Sequence, residues 1–268
     1  MQNGKIIPIE EAASLVHHGD MLGLGGMTIY RRPVAFVRSL IQRYQSQNEP
    51  GELALLAFTA GLESDLLVGA GMISSVRTCY FGLEIFGLAP MFTYCAGAGS
   101  LEIIEETEAS LSFGLRAAMS GVGFMPGRAW LGTDLPDLRP DVKTILDPYS
   151  GEQLVAFPAI HPDVAVIHAL RADPDGNAVI GNNKGVDEEL SITAKTVIVT
   201  CEEIVPELDH VDLVAHFVDA VVRCPQGASP TSCHPLYPVD GDALLDYSGR
   251  VSDPASFAVF LENWLKGS

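Results

Sequence analysis

Basic residues are scarce in this chain: 16 Lys and Arg stand against 34 Asp and Glu, a formal net charge of −18 over 268 residues. Nucleic-acid binding rests on clustered cations that release counterions, and an anionic membrane surface asks for the same, so neither partner is expected. Aromatic residues are also few, 7% against 47% hydrophobic, so the core must be built from Ala, Val, Leu and Ile. The five cysteines (Cys79, Cys95, Cys201, Cys224 and Cys233) form no Cys-x-x-Cys pair and are odd in number. They read as buried reduced thiols, with a reducing cytoplasm as the expected compartment. No apolar run reaches 18 residues, and no basic segment precedes an apolar one at the start, so neither a membrane span nor a signal peptide is read.

The familiar motifs of several enzyme classes are missing too. No Gly-x-Ser-x-Gly elbow and no His-Glu-x-x-His pair occurs. A dinucleotide fingerprint would need glycine where Thr28 stands, and no Gly-Lys-Ser/Thr makes a phosphate loop. His17, His18, His161, His168, His210, His216 and His234 lack the tight spacing of metal ligands, so no metal is expected. His168, inside Val164-Ala165-Val166-Ile167-His168-Ala169, reads as a buried and satisfied histidine.

What the chain does contain is alternation. Pro8-Ile9-Glu10-Glu11 opens a helix with Ile9, Ala12, Ala13 and Val16 on one stripe. Asp20 to Leu24 reads as a short strand ending in Gly25-Gly26, and Pro33 starts a second helix. Leu53–Phe58 is a continuous apolar run, as expected of a strand covered on both faces. Similar runs occur at Val76–Phe81, Val164–Leu170, Thr196–Cys201 and Val218–Val222. Helical text stands near Glu63–Gly71, Leu101–Met119, Asp187–Ala194 and Pro254–Leu265. The pattern predicts one α/β domain over residues 1–268: an open three-layer α/β/α arrangement with a mostly parallel sheet. Residues 126–151 read as loop-rich with short apolar islands.

Two stretches could carry chemistry. Gly25 and Gly26 end a strand just before a helix, where backbone N–H groups can face an anion or oxyanion. The plain alternative is a tight βα turn. Arg31-Arg32 is the only adjacent basic pair, and at a helix start it opposes the dipole, so a carboxylate or phosphate ligand would explain it. In the second stretch, Leu101 to Glu108, four carboxylates fall within seven residues. Glu102, Glu105 and Glu106 would share one helical face. They could be a helix start rich in acids, or one could be a catalytic carboxylate beside a thioester.

The order of motifs resembles the α subunit of family I CoA-transferases. The Gly-Gly turn leading to an Arg-Pro helix carries it, with Phe124-Met125-Pro126 and Leu131-Gly132-Thr133-Asp134. So do Pro162–Asp173 with Gly176-Asn177, Ala194–Val205, and Val218–Val222 with Gly227–Cys233. The resemblance implies an α/β subunit that works with a β-type partner on acyl-CoA and carboxylic acid substrates. Coenzyme A is then a substrate, and no cofactor is permanently bound. It also implies a nucleophilic glutamate on the partner and an oxyanion element at Gly25-Gly26. Arg31-Arg32-Pro33 and Gly114-Leu115-Arg116-Ala117-Ala118 are similar to the α subunit of a cholesterol ring-degrading CoA hydrolase. There the active glutamate lies on the α subunit, which points to Glu105 or Glu108 here. Cys233 with Leu236-Tyr237-Pro238 is similar to the α subunit of a glutaconyl-CoA decarboxylase. CoA transfer is the expected reaction, with hydrolysis or decarboxylation as the alternative and Arg31 and Arg32 holding a distal carboxylate. A sugar-phosphate isomerase or ligand-sensing regulator on a related fold is the alternative of another class.

Overall fold

The structure is a computed structural model describing residues 4–267. Its strands are β1 (Met21–Leu24), β2 (Leu53–Ala60), β3 (Ile73–Phe81), β4 (Glu102–Glu105), β5 (Phe124–Gly127), β6 (Lys143–Leu146), β7 (Gln153–Pro158), β8 (Val164–Ala172), β9 (Ala178–Val179), β10 (Thr196–Ile204) and β11 (Ala220–Arg223). Its helices are α1 (Ile9–Ser14), α2 (Val34–Gln47), α3 (Leu62–Gly69), α4 (Pro90–Ala98), α5 (Glu108–Met119), α6 (Leu135–Leu138), α7 (Asp187–Thr193), α8 (Gly241–Arg250) and α9 (Pro254–Lys266).

The main sheet runs β11-β10-β8-β1-β2-β3-β4, with every neighbouring pair parallel; β9 adds to β8 antiparallel. Alternate residues of each central strand enter different cores. Leu22, Leu24, Leu55, Val164, Val166 and Ile198 pack on one face with α1, α2, α3 and α9. Leu56, Ala165, Ile167, Val197 and Val199 pack on the other with α5 and α7. A sheet covered on both faces needs apolar side chains at successive positions, which is why β2, β8 and β10 read as unbroken apolar runs. The expected three-layer α/β/α class is therefore the observed one.

Two sequence expectations need correction. Residues 101–119 are not one helix. Glu102-Ile103-Ile104-Glu105 is the edge strand β4, paired with β3 from Ser75↔Glu102 to Thr78↔Glu105, and α5 starts only at Glu108. Two β-branched residues suit a pleated edge, and Thr107 starts the helix with a capping box to Ser110. The loop-rich stretch 126–151 supplies parts of a second sheet, β5-β7-β6, antiparallel throughout. Trp130, Val142, Val155 and Phe157 form its own small core, and Phe113 of α5 packs against it.

Candidate active site

Ligands of open parallel sheets bind beyond the carboxyl ends of the strands, at the point where strand order reverses. Here that point lies between β1 and β8, and the chain fills it with its own ion pairs. Gly25 donates its N–H to Val166 O (2.9 Å), and Gly26 donates to Asp187 Oδ1 (2.9 Å). Both amides expected as oxyanion donors are thus already hydrogen-bonded inside the protein. Their glycine character has a steric cause instead. Gly26 has φ +83°, and a Cβ there would lie 2.5 Å from Arg31 O; one on Gly25 would lie 2.8 Å from Asp187 Oδ1.

Arg31 and Arg32 are fully buried. Arg31 donates through Nη1 to His168 O (2.7 Å), and through Nη2 to Asn183 O (2.8 Å) and Asp187 Oδ2 (2.9 Å). Arg32 donates through Nη1 to Gly26 O (2.8 Å) and through Nη2 to Glu63 Oε1 (2.6 Å). Each guanidinium of the pair expected to grip a substrate carboxylate already has a buried carboxylate partner. Those partners also offset the unfavourable charge at the start of α2 that the sequence pointed out. Arg31 at φ 51° and Thr28 at φ 37° are strained non-glycine positions, so these contacts hold the turn in a costly conformation.

On the other side of β1 the carboxyl edge carries exposed carboxylates. Leu24, Ala57, Thr78 and Glu105 form one row across β1, β2, β3 and β4. Glu105 ends β4 with an exposed side chain, and Glu108 is exposed at the first position of α5. Glu102 is exposed at the opposite end of β4, about 10 Å away at the rise of a strand, so it leaves the group. Glu106 is buried. The four carboxylates thus share no helical face. Three strand spacings separate Glu105 from the glycine turn, about 14 Å.

Around Glu106 lies a cluster that sequence reasoning missed. Arg139, 6% exposed, donates through Nη1 to Glu105 O (2.8 Å) and Glu106 Oε1 (2.9 Å). Its Nε and Nη2 reach Asp141 Oδ1 (2.9 Å) and Oδ2 (2.8 Å). Burial works against the Arg139 charge, but the hydrogen bonds to Asp141 and Glu106 outweigh it and hold the cation above its ordinary range. Ser110 Oγ donates to Glu106 Oε2 (2.5 Å), and Trp130 Nε1 donates to Thr107 Oγ1 (3.0 Å). Cys79 of β3 faces the same carboxylates. Burial first, then Glu108, pushes its thiol up to about 11.

The coenzyme A transferase family profile matches residues 6–223. The chain belongs to the coenzyme A transferase family. It is similar to the A-type subunit of the 3-oxoadipate CoA-transferase of Pseudomonas knackmussii, with 32% identity covering 98% of this chain and 94% of that one. It is also similar to the IpdA component of the cholesterol ring-cleaving hydrolase of Rhodococcus jostii, 28% identical over 98% of this chain and 93% of that one. Among solved structures, a variant of the AibA/AibB decarboxylase superposes with a TM-score of 0.90 at 30% identity, covering 99% of each chain. The transferase match places this chain with α-type CoA-transferase subunits. A transferase, a hydrolase and a decarboxylase thus share the scaffold, so the reaction has to be argued from side chains.

In this CoA-transferase chain His168 is fully buried and satisfied, as its sequence context suggested. Nδ1 meets Thr200 Oγ1 (2.8 Å) and Nε2 meets Glu202 Oε1 (2.8 Å). Burial lowers the His168 pKa, against the pull of Glu202. Burial would raise Glu202, but hydrogen bonds from His168, Tyr237 and the Gln226 amide hold it low. Donor atoms of His168, Glu202 and Cys233 come within 4.8 Å of one another. Both Glu202 oxygens are already taken, Oε1 by His168 and Tyr237 and Oε2 by Gln226 N, and the Arg31 cation lies alongside. The group closes on its own hydrogen bonds and is a structural hub. Among the described residues no helix is long and apolar enough to cross a membrane.

Proposed function

We propose that this chain is the α subunit of a heteromeric enzyme that moves CoA from an acyl-CoA thioester to a second carboxylic acid. In this reading Glu105 is the carboxylate this subunit brings to the thioester. The observation that carries the reading is the placement of Glu105: an exposed carboxylate at the carboxyl end of a parallel edge strand. A β-type partner supplies the opposite wall and the attacking glutamate. Its carboxylate oxygen adds to the thioester carbon, CoA thiolate leaves, and a mixed anhydride forms. The thiolate then attacks the glutamyl carbonyl and releases the first acid. The acceptor acid takes the CoA by the same steps in reverse. Glu108, at the first position of α5 where the helix dipole favours an anion, lines the same edge.

Hydrolysis is the second reading, favoured by the same exposure of Glu105, which leaves water free to reach its carboxylate as general base. Glu105→Gln separates the readings. Turnover is measured for the complex co-expressed with a β-type subunit, using acetyl-, succinyl- and glutaconyl-CoA, with and without acetate as acceptor. Transfer predicts partial loss and turnover that depends on acetate. Hydrolysis predicts near-complete loss and indifference to acetate. Wild-type rates under both conditions would remove Glu105 from the chemistry.

A further inference from the structure

We propose that Arg139 is a positioning residue for Glu105, fixing the backbone from which that carboxylate projects and neutralising the buried acid behind it. The proposal rests on the reading that Glu105 takes part in the reaction.

The geometry is specific to that role. Nη1 of Arg139 binds the main-chain carbonyl of Glu105 itself, one bond path from the Cα that aims the side chain, and the Glu106 carboxylate at the same time. The other edge of the planar guanidinium is held by both oxygens of Asp141. A guanidinium presents donors in a rigid fork, so fixing one edge aims the other. The Trp130 ring lies 5.8 Å from the guanidinium carbon, and its indole N–H holds the N-cap of α5 two residues beyond Glu105. The turn between β4 and α5 is therefore braced from the small second sheet, whose own core contains Trp130.

The charges require the same residue. Glu106 is 7% exposed and directly follows Glu105. Arg77 of β3 is its other cation, but Arg77 Nε stands 3.8 Å from Glu106 Oε1 and has no hydrogen-bond partner. Arg77 gives an ion pair without direction, whereas Arg139 gives directed hydrogen bonds. The groups that face this turn are Arg77 and Cys79 from β3, Glu108 and Ser110 from α5, and Arg139 and Asp141 from the segment after α6. Without Arg139 the turn keeps one distant cation against Glu106 and loses its only side-chain brace on Glu105 O among the described residues.

Arg139→Lys tests this, because it keeps a cation against Glu106 and removes the fork. Glu105→Gln and the double variant complete a cycle, all in the assembled complex, with the fastest substrate of acetyl-, succinyl- and glutaconyl-CoA. A misplaced reacting group costs up to roughly 100-fold, and a brace acting through Glu105 cannot cost more than losing its carboxylate, so kcat should fall in Arg139→Lys, but no further than in Glu105→Gln, with KM within about twofold. In the Glu105→Gln background the same change should add less than about twofold, since residues acting as a unit are not additive. Wild-type kcat in a folded Arg139→Lys, or an equal loss in both backgrounds, would overturn the proposal. Full activity of Glu105→Gln would instead remove the reading of Glu105, and the proposal with it. Amide hydrogen exchange over residues 102–110 gives a readout independent of substrate. It should quicken about tenfold in Arg139→Lys, and unchanged exchange would also count against the brace.

Discussion

The buried Arg31–Asp187 pair decides whether the glycine turn is structural or substrate-binding, and Asp187→Asn is the perturbation that asks. The carboxylate of Asp187 holds Arg31 Nη2 at 2.9 Å and the Gly26 amide at 2.9 Å, and both side chains are essentially inaccessible. Asparagine keeps an acceptor for Gly26 but leaves the Arg31 cation buried without its counter-charge. Breaking one side of a buried ion pair costs about 3–5 kcal/mol. At roughly 2–4 °C per kcal/mol for a chain of this size, the melting temperature should fall by about 10 °C. Differential scanning calorimetry of the complex measures this. KM for the acyl-CoA, taken well below the transition, should stay at its wild-type value. Arg31→Met should cost a similar amount, and the double variant should cost less than the two singles together, because the same pair is broken once. The opposite result would refute the argument: a melting temperature within about 2 °C of wild type together with a large rise in KM. That pattern would return Arg31 to the role of a carboxylate clamp.

Two further outcomes follow from other parts of the fold. Gly26→Ala places a Cβ 2.5 Å from Arg31 O and 2.6 Å from Tyr30 O at φ +83°, so stability should drop by about 3 kcal/mol; wild-type melting would show that the turn relaxes freely. Asp65 is pushed up to about 6 from 3.8, chiefly by burial, although Tyr247 and the amides of Met91 and Phe92 donate to it. A raised acid stabilises the fold below its unfolded pKa, and that contribution is lost as pH rises through about 6. The loss is about 3 kcal/mol. Asp65→Asn should therefore gain stability relative to wild type between pH 4 and pH 7, and a constant difference across that range would reject the assignment.

The sequence was readable where a residue's environment repeats along the chain. Strands β2, β8 and β10 are apolar at successive positions because both faces are covered. Strand β4 is an edge with exposed side chains, and its glutamates happen to sit at helical spacing with those of the next element. The signal that could have separated them was Ile103-Ile104 between charges, followed by Thr107 and Ser110 as a capping box. Helix α4 was not foreseen because Pro90-Met91-Phe92-Thr93-Tyr94-Cys95-Ala96-Gly97-Ala98 has no polar stripe to mark a face. The roles of Arg31, Arg32 and Arg139 depend on partners distant in sequence: Asp187, Glu63 and Glu106. Nothing local in Arg31-Arg32 distinguishes a clamp for a ligand from a clamp for the protein itself. At a helix start the pair opposes the dipole, and the buried carboxylates explain why it is tolerated there.

The separation of Glu105 from the glycine turn bears on how the reaction must be organised. A carboxylate attacking a carbonyl carbon and a donor stabilising the resulting oxyanion must both lie about 3 Å from the reacting atoms. Glu105 and Leu24, the residue before Gly25, stand at opposite ends of a row four strands wide, about 14 Å apart. One thioester carbon cannot be served by both Glu105 and the glycine turn. The amides of Gly25 and Gly26 are in any case committed to Val166 O and Asp187. An α subunit built this way offers a carboxylate without its own complementary donor, or a rigid turn without its own nucleophile. Either way the catalytic set is completed from across the cleft. Mixing separately purified α and β chains should therefore restore turnover that neither shows alone. Acyl-CoA turnover at the full rate by this chain in isolation would overturn that division of labour.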